Sequence, residues 1–495
     1  MRLKELAQRV DGAKILCGDG SIQKAENTEI QGLCFNSRAC KKGDLFFCIV
    51  GGCADSHFFV QEAIENGAAA IVCSREIECS VPAVLTNDTR KAMGLIASAF
   101  YGDPAQKIKL IGITGTNGKT TVSYMLAEIL KRAGKRVGII GTLGIVYGKK
   151  RIAPELTTPD PIFLHAVIAD MVSCGVEYVV MEVSAHALYY EKVAGLVFEV
   201  GIFTNFSQDH LDFFSSMQEY KEAKEKLFSP RVCKIAVLNG DDSLGRGIAA
   251  KRKDKRGGNT LFYAIDSPSD VFCVVTDEGL SGSEFMLNIS DSLCRVSLSL
   301  AGRHNVYNAM AASACAYALG VSTTAIQGGL KNLRSVSGRL ERLTPFRGAE
   351  IFLDFAHTPD GLEKSLSSLK AHCKGKLYCL FGCGGNRDRK KRPLMGEMAA
   401  KLADFCILTS DNPRYEEPTD ILAEIEKGVR RFTTSYVVIA ERKDAVFYAL
   451  TLLKKGDVLL LAGKGGEDTQ EVMGIKYDYN DKTTVEEGIK RLSPP

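Results

Sequence analysis

The sequence has no apolar run of membrane-spanning length, no CxxC pair, no long basic block and no internal repeat. Each absence removes a class. A bilayer span needs roughly 20 consecutive apolar residues, so no membrane partner is expected. The opening MRLKELAQRV also lacks an apolar signal core, which leads to an expected cytoplasmic location. Without CxxC spacing the 16 cysteines are not laid out for zinc. They scatter through apparent strands and helices and read as reduced, mostly buried thiols of a reducing compartment. Lys and Arg number 63 against 59 Asp and Glu, a net charge of +4, too small for a nucleic-acid footprint. The one short basic cluster, KRKDKR at Lys251 to Arg256, is expected to be a solvated helix end.

What is present is a long globular chain. Its 495 residues exceed one core, and the length prior gives about three domains. The organising stretch is GITGTNGKTT, Gly112 to Thr121. Lys109 to Thr114 reads as a buried strand and Thr120 to Lys131 as a helix, so Gly115, Thr116, Asn117 and Gly118 fall in the turn between them. Backbone N–H groups of such a turn and of the helix N-terminus converge on an anion, and glycine lets phosphate oxygens approach. Lys119 adds charge for the outer phosphates of ATP, and the Thr120 hydroxyl is placed to ligate the accompanying Mg²⁺, with Thr121 beside it. Ile113 stands where the usual P-loop has its first glycine.

The expected fold class is α/β with three domains. Residues 1–105 form a small N-terminal α/β unit. Residues 106–335 carry the P-loop on a doubly wound, mostly parallel sheet, with an antiparallel addition between Gly258 and Leu300. Residues 336–495 form a Rossmann-like α/β unit whose strands are IFLDFA, KLYCLFGC, FCILTS, SYVVIA and DVLLLAG. Polar clusters follow four of these strands, at the ends where doubly wound sheets bind ligands. In the central unit the strand VEYVVMEVS ends in Glu182, where a P-loop ATPase places a carboxylate for Mg²⁺. His210, in NFSQDHLDFF, follows another strand and is a second metal candidate.

Ten blocks occur in one order: GTNGKTT, MEVSAHAL, TNFSQDHLDF, YKEAKEKLF, GRHNVYNAMAA, GRLER, DFAHTPDGL, GCGGNRDRKKRP, DNPR and GKGGEDTQ. In this the chain resembles the Mur ligases of peptidoglycan synthesis, and among them the branch that takes meso-diaminopimelate. The resemblance implies ATP-driven amide bond formation. The carboxylate of a UDP-N-acetylmuramoyl-dipeptide would be converted to an acyl phosphate, which the amine then attacks. A carboxylate is a poor electrophile until its oxygen becomes a good leaving group, and lysine and metal allow two anions to meet.

The resemblance also implies roles. Lys224 would be a carbamylated lysine, joining Thr120, Glu182 and His210 as a metal group, with Lys119, Lys224, His210 and Glu182 catalytic. Asn305, Arg339, Asp354 and His357 would contact the nucleotide. Ser37, Thr157, Thr158, Ser184 and Lys192 would hold the UDP-linked substrate. Arg387, Asn412, Arg414, Gly463 and Glu467 would hold diaminopimelate, whose far carboxylate suits the guanidinium of Arg414. The chain departs from the family pattern at Tyr190 and Lys192, where Gln and Arg are usual, at Asn386, usually Asp, and at Gly466, usually His. A monomer is expected. The rival readings are a folylpolyglutamate-synthase-like ligase, a homologue that adds L-lysine, and a P-loop ATPase switch with no carboxylate substrate.

Overall fold

The computed structural model describes residues 1–18, 21–52, 54–153, 155–253 and 259–493. The chain divides into two compact units, one of Met1–Thr114, Lys135–Gly201 and Ala223–Lys234, the other of Gly115–Gly134, Ile202–Glu222 and Ile235–Pro495.

In the first unit a five-stranded sheet has the order Lys14–Leu16, Ala83–Leu85, Ala70–Cys73, Asp44–Phe47, Gly32–Cys34. Only its first pair is antiparallel. Leu45 and Phe47 pack on one face with Leu3, Leu6 and Ile96, while Phe46 and Cys48 pack on the other with Val60 and Ile71. Burial on both faces is why this stretch reads as one continuous apolar run. The same unit holds the P-loop strand Lys109–Thr114, in parallel register with Tyr178–Glu182 so that Glu182 lies opposite Ile113. Tyr178–Glu182 pairs in parallel with Val137–Gly141, and Gly144–Tyr147 and Lys150–Ile152 follow antiparallel.

In the second unit the helix Lys119–Arg132 packs on the helices Arg303–Ala318 and Thr323–Asn332. Asn259–Ala264 and Val271–Gly279 continue the parallel pairing begun by Cys233–Asn239. Val271–Gly279, Gly282–Ile289 and Ser292–Leu298 then pair antiparallel, within the span the sequence reading gave to the addition, although Asn259–Ala264 inside that span still pairs in parallel. Alternation of apolar residues reports which face is buried, not strand direction. The basic cluster differs in part from expectation. Lys251 is exposed near the end of the helix Ser243–Lys253, as expected of a solvated helix end, but Arg252 beside it is buried, and Asp254 to Arg256 lie outside the described residues.

The C-terminal sheet of this unit has the order Glu341–Arg342, Glu350–Asp354, Val458–Ala462, Leu377–Phe381, Phe405–Leu408, Tyr436–Val438, parallel except for its first pair. The last of this sheet's strands in chain order, Val458–Ala462, thus inserts between the first two parallel ones. That order makes a switch point, and the loops after Asp354, Phe381, Leu408 and Ala462 open beside one another. A fully buried ion pair fixes two of them. Arg442 meets Asp481 at 2.7 and 2.9 Å and also donates to Ser410 O and Ala462 O. Among the described residues no helix is long and apolar enough to cross a membrane.

Candidate active site

The P-loop strand stays in its sheet through Ile113 and Thr114, both wholly buried. The turn therefore opens at Gly115, later than in an ordinary P-loop, which accounts for Ile113. Gly118 precedes the helix with φ 88°, and Asn308 Oδ1 lies where its Cβ would be, so only glycine fits there. Thr116 N and Asn117 N donate to Asn205 O and Oδ1 at 2.8 and 3.0 Å. Those two amides hold the turn in shape. The amides of the first helical turn are the ones a helix N-terminus offers to an anion; Val122 N is already bonded back to Gly118 O. Lys119 Nζ donates to Gly115 O and Thr116 O, each at 2.9 Å, and so lies within the loop.

Arg339 Nη2 reaches Thr120 Oγ1 at 3.1 Å while its guanidinium lies over the Phe355 ring. This brings a cation from the GRLER block to the P-loop hydroxyl. Asp354 plays a supporting part. Its carboxylate accepts from Leu340 N, Ala356 N and Ser365 Oγ, fastening the Arg339 turn to the end of its strand. Burial raises its pKa, with Arg339 opposing. Asn305 donates to Ala301 O and accepts from Asn308 Nδ2, so its amide organises the start of its own helix.

Asp209, which sequence reasoning passed over, sits between both candidate histidines. Its Oδ2 lies 3.2 Å from His210 Nε2 and 4.0 Å from His357 Nε2. Burial alone would raise this carboxyl, but His210, His357 and Lys391 outweigh it and hold it at about 2. His357 Nδ1 donates to Phe355 O, which leaves Nε2 facing Asp209. His210 adopts φ 56°, a strained conformation of the kind that gathers at functional sites.

In the first unit the buried Glu182 accepts from Thr142 N and Thr142 Oγ1, one on each carboxylate oxygen, at 2.9 and 3.1 Å. A buried carboxylate beside threonine hydroxyls is an all-oxygen donor set of the kind Mg²⁺ takes, and the ion asks for few carboxylates because it retains waters and takes phosphate oxygens. The residues present therefore fit that ion. Thr142 Oγ1 is 3.1 Å from Thr157 Oγ1, Thr158 Oγ1 donates to Glu182 O, and Ser184 N donates to Thr158 Oγ1. Thr157, Thr158, Ser184 and Glu182 are thus one connected set, with Thr142 as the member that sequence reasoning missed. Lys192 pairs with Asp160 at 2.7 Å, and Arg90 places a guanidinium over the Tyr190 ring at 4.3 Å. Ser37 opens the short turn Ser37–Ala39 and donates to Glu62. Of Lys221, Lys224, Lys226 and Lys234, only Lys224 is buried, at 1% exposure. Lys226 and Lys234 form surface ion pairs with Glu191 and Glu199.

At the C-terminal sheet's switch point, Arg414 has φ 53°. Its backbone is pinned on both sides, to Glu471 O and Met473 N, and its side chain meets Gly385 O at 2.8 Å and Glu471 Oε2 at 3.3 Å. Asn412 donates to Glu467 Oε2 at 2.9 Å and accepts from Lys464 Nζ, itself fully buried and 3.1 Å from Glu467. Lys464 was not singled out from sequence; a lysine in a Gly-rich loop looks solvated there. Gly463 follows the strand Val458–Ala462 directly. Arg387 is half-exposed, 3.9 Å from Asp212, and flanks Gly384 together with the Arg414 guanidinium. Asn386 accepts from Tyr415 N through Oδ1, the acceptor an aspartate would also offer. A Cβ on Gly466 would come 2.7 Å from Ser337 Oγ, so the usual histidine would have to displace that hydroxyl.

A second ion network braces these loops. Buried Arg392 binds Glu416 at 2.9 Å and Glu424 at 2.8 Å, and Glu416 also accepts from Asn386 N. The Arg392 hydrogen bond is the main cause holding Glu416 at about 2, against an ordinary 4.5. Because the folded value is depressed, the stabilisation is full above about 4.5 and is lost as pH falls through about 2. We expect acid to cost up to about 3 kcal/mol through this group. Denaturant titrations between those pH values should show a shallower loss for Glu416→Gln than for the wild type.

A glycine turn at a helix N-terminus, fed by a buried parallel strand and carrying its lysine within it, makes this a P-loop nucleotide-binding α/β protein. Three family profiles match in succession: the "Mur ligase family, catalytic domain" over residues 29–101, the "Mur ligase middle domain" over 113–316 and the "Mur ligase, glutamate ligase domain" over 338–465. A protein of Caldanaerobacter subterraneus subsp. tengcongensis named UDP-N-acetylmuramoyl-L-alanyl-D-glutamate--2,6-diaminopimelate ligase is 43% identical, covering 94% of this chain and 96% of its own. One of the same name, numbered 1, from Clostridium acetobutylicum is 41% identical over 99% and 100%. A solved structure of a UDP-N-acetylmuramoyl-L-alanyl-D-glutamate--2,6-diaminopimelate ligase superposes with TM-score 0.68 at 30% identity, over 93% of this chain and 95% of that one. The chain belongs to the Mur ligase family.

Proposed function

We propose that this Mur ligase joins meso-diaminopimelate to UDP-N-acetylmuramoyl-L-alanyl-D-glutamate at the expense of ATP, in peptidoglycan biosynthesis. Relatives of that name, matched over nearly the whole chain, support the reaction. The observation that carries the choice of amine is Arg414, pinned by its backbone at the switch point beside Asn412, Lys464 and Glu467. A diamine with a carboxylate at its far end gives that guanidinium a partner; lysine does not.

The mechanism begins at the helix N-terminus and Lys119, which bind the β- and γ-phosphates of ATP. Thr120 and Arg339 flank them. The γ-phosphoryl group passes to the substrate carboxylate, giving an acyl phosphate and ADP. The amine attacks the acyl carbon and loses a proton, and phosphate leaves with one former carboxylate oxygen. Thr120, Glu182, His210 and Lys224 are the residues that would hold Mg²⁺, which when bound offsets charge on the phosphates. Lys224 suits this as a carbamate, since an ammonium would repel the cation. Asn305, Asp354 and His357 belong to the nucleotide end, and Asp209 orients the two histidines.

Residues 1–105 take the UDP end through Ser37, 106–335 take ATP, and 336–495 take the amine. Thr157, Thr158, Ser184 and Lys192 face the muramoyl dipeptide; Arg387, Asn412, Arg414, Gly463 and Glu467 face diaminopimelate. The protein works as a monomer in the cytoplasm. The test is isotopic. With heavy oxygen in the acceptor carboxylate, one labelled oxygen should appear in each released phosphate, and only when both the UDP-dipeptide and the diamine are present. Unlabelled phosphate, or release with neither substrate, would refute acyl-phosphate formation and favour a plain ATPase.

A further inference from the structure

Asp360 belongs to none of the groups assigned above, yet it joins the P-loop to a helix far along the chain. It lies in the first turn of the helix Pro359–Lys370, whose Thr358 cap accepts from Gly361 N. A carboxylate is favoured at that helix end. Its Oδ2 accepts three hydrogen bonds: from Asn117 Nδ2 at 2.8 Å, Ser207 Oγ at 3.1 Å and Lys364 Nζ at 2.9 Å. Three donors on one oxygen suit an anion. Lys364, one turn later, balances its charge, so a carboxylate is tolerable near a phosphate site.

Asn117 is committed elsewhere as well. Its N–H donates to Asn205 Oδ1 at 3.0 Å, and its carbonyl accepts from Thr204 Oγ1 at 2.6 Å and Asn205 Nδ2 at 3.1 Å. Both backbone groups and one side-chain N–H are thus engaged with protein. Asn117 is a strut, and its outer end is fixed 243 positions away in sequence, at Asp360.

We propose that Asp360 is a positioning residue for the nucleotide site, acting through Asn117 to set the place of the P-loop turn. This rests on the nucleotide use proposed above. A helix of the C-terminal segment then helps to determine how well the turn grips phosphate.

The experiment is calorimetric binding of ADP with Mg²⁺ to the full chain, for the wild type, Asp360→Ala, Asp360→Asn, Asn117→Ala and the Asp360→Ala/Asn117→Ala double variant. Asp360→Ala should weaken ADP on the order of tenfold, as expected for one hydrogen bond to a charged group. Asp360→Asn keeps an acceptor oxygen and should recover part of that loss. In the Asn117→Ala background the further loss should be less than about twofold, because the two residues act as one unit. A general structural defect would lower affinity by the same factor in both backgrounds, and that result, or unchanged ADP affinity in Asp360→Ala, overturns the proposal. ADP binding does not depend on the amine. A wild type that binds ADP but never consumes diaminopimelate would therefore sink the ligase reading and leave this one standing.

Discussion

Lys224→Ala is expected to lose ligation on the order of a thousandfold, with UDP-substrate binding little changed, and to regain part of the rate when formate or acetate is added. The expectation starts from burial. A lysine at 1% exposure in the highly charged helix Met217–Glu225 is not one of the solvated cations that its lysine-rich surroundings suggest. Removing an ammonium from water is costly unless it is paired or chemically changed. Capture of CO₂, as proposed for Lys224, would change it, converting the cation to an anion with two metal-binding oxygens. Loss of a group that stabilises transferring phosphate costs two to three orders of magnitude in comparable sites, by rough precedent. A small carboxylate diffusing into the vacated space can restore the oxygens but not their tether, so rescue should be partial and saturable. Intact-protein mass measured under CO₂ supplies a second readout. Full activity in Lys224→Ala, or loss without any rescue and without the added mass in the wild type, would count against the carbamate.

The fold was largely legible because its signals are local. Buried parallel strands such as Asp44–Phe47 and Val458–Ala462 announce themselves as short apolar runs, and the glycines around Lys119 mark the turn. Strand direction was less legible: Val271–Gly279 alternates like an antiparallel strand yet begins with a parallel pairing. The site was legible in its chemistry and opaque in its support. Asp209, Thr142, Lys464 and Asp360 carry no spacing pattern of their own. Each is defined by a partner distant in sequence, such as Glu182 for Thr142, 40 positions away, or Asn412 for Lys464, 52 away. Burial of Arg392 was hidden for the same reason. An isolated arginine looks solvated until the carboxylates around it are known, and for Arg392 those are Glu416 and Glu424.

Arg414→Ala is expected to raise KM for meso-diaminopimelate on the order of a hundredfold while leaving the weak use of L-lysine nearly unchanged, so that the preference between the two amines collapses. The backbone of Arg414 is held in the left-handed region, with φ 53°, by bonds to Glu471 O and from Met473 N. A non-glycine residue there costs about 1 kcal/mol or more, a strain kept only where the surroundings over-determine it. The strain fixes where the guanidinium starts. Gly385 O and Glu471 then restrict where it points, and two recorded partners leave most of its five N–H donors for a carboxylate. A bidentate pair with a charged partner is worth roughly 1.5–3 kcal/mol, or about ten- to a hundredfold. Arg414→Lys separates charge from geometry. A lysine keeps the charge but not the planar fork, so it should restore less than about a tenth of the lost preference. Since lysine has no second carboxylate, its turnover reports any general damage to the loop, and an equal fall with both amines would assign Arg414 to the fold rather than to selection. If Arg414→Ala still favoured diaminopimelate as strongly as the wild type, the far carboxylate would have to be read elsewhere, with the half-exposed Arg387 the next residue to replace.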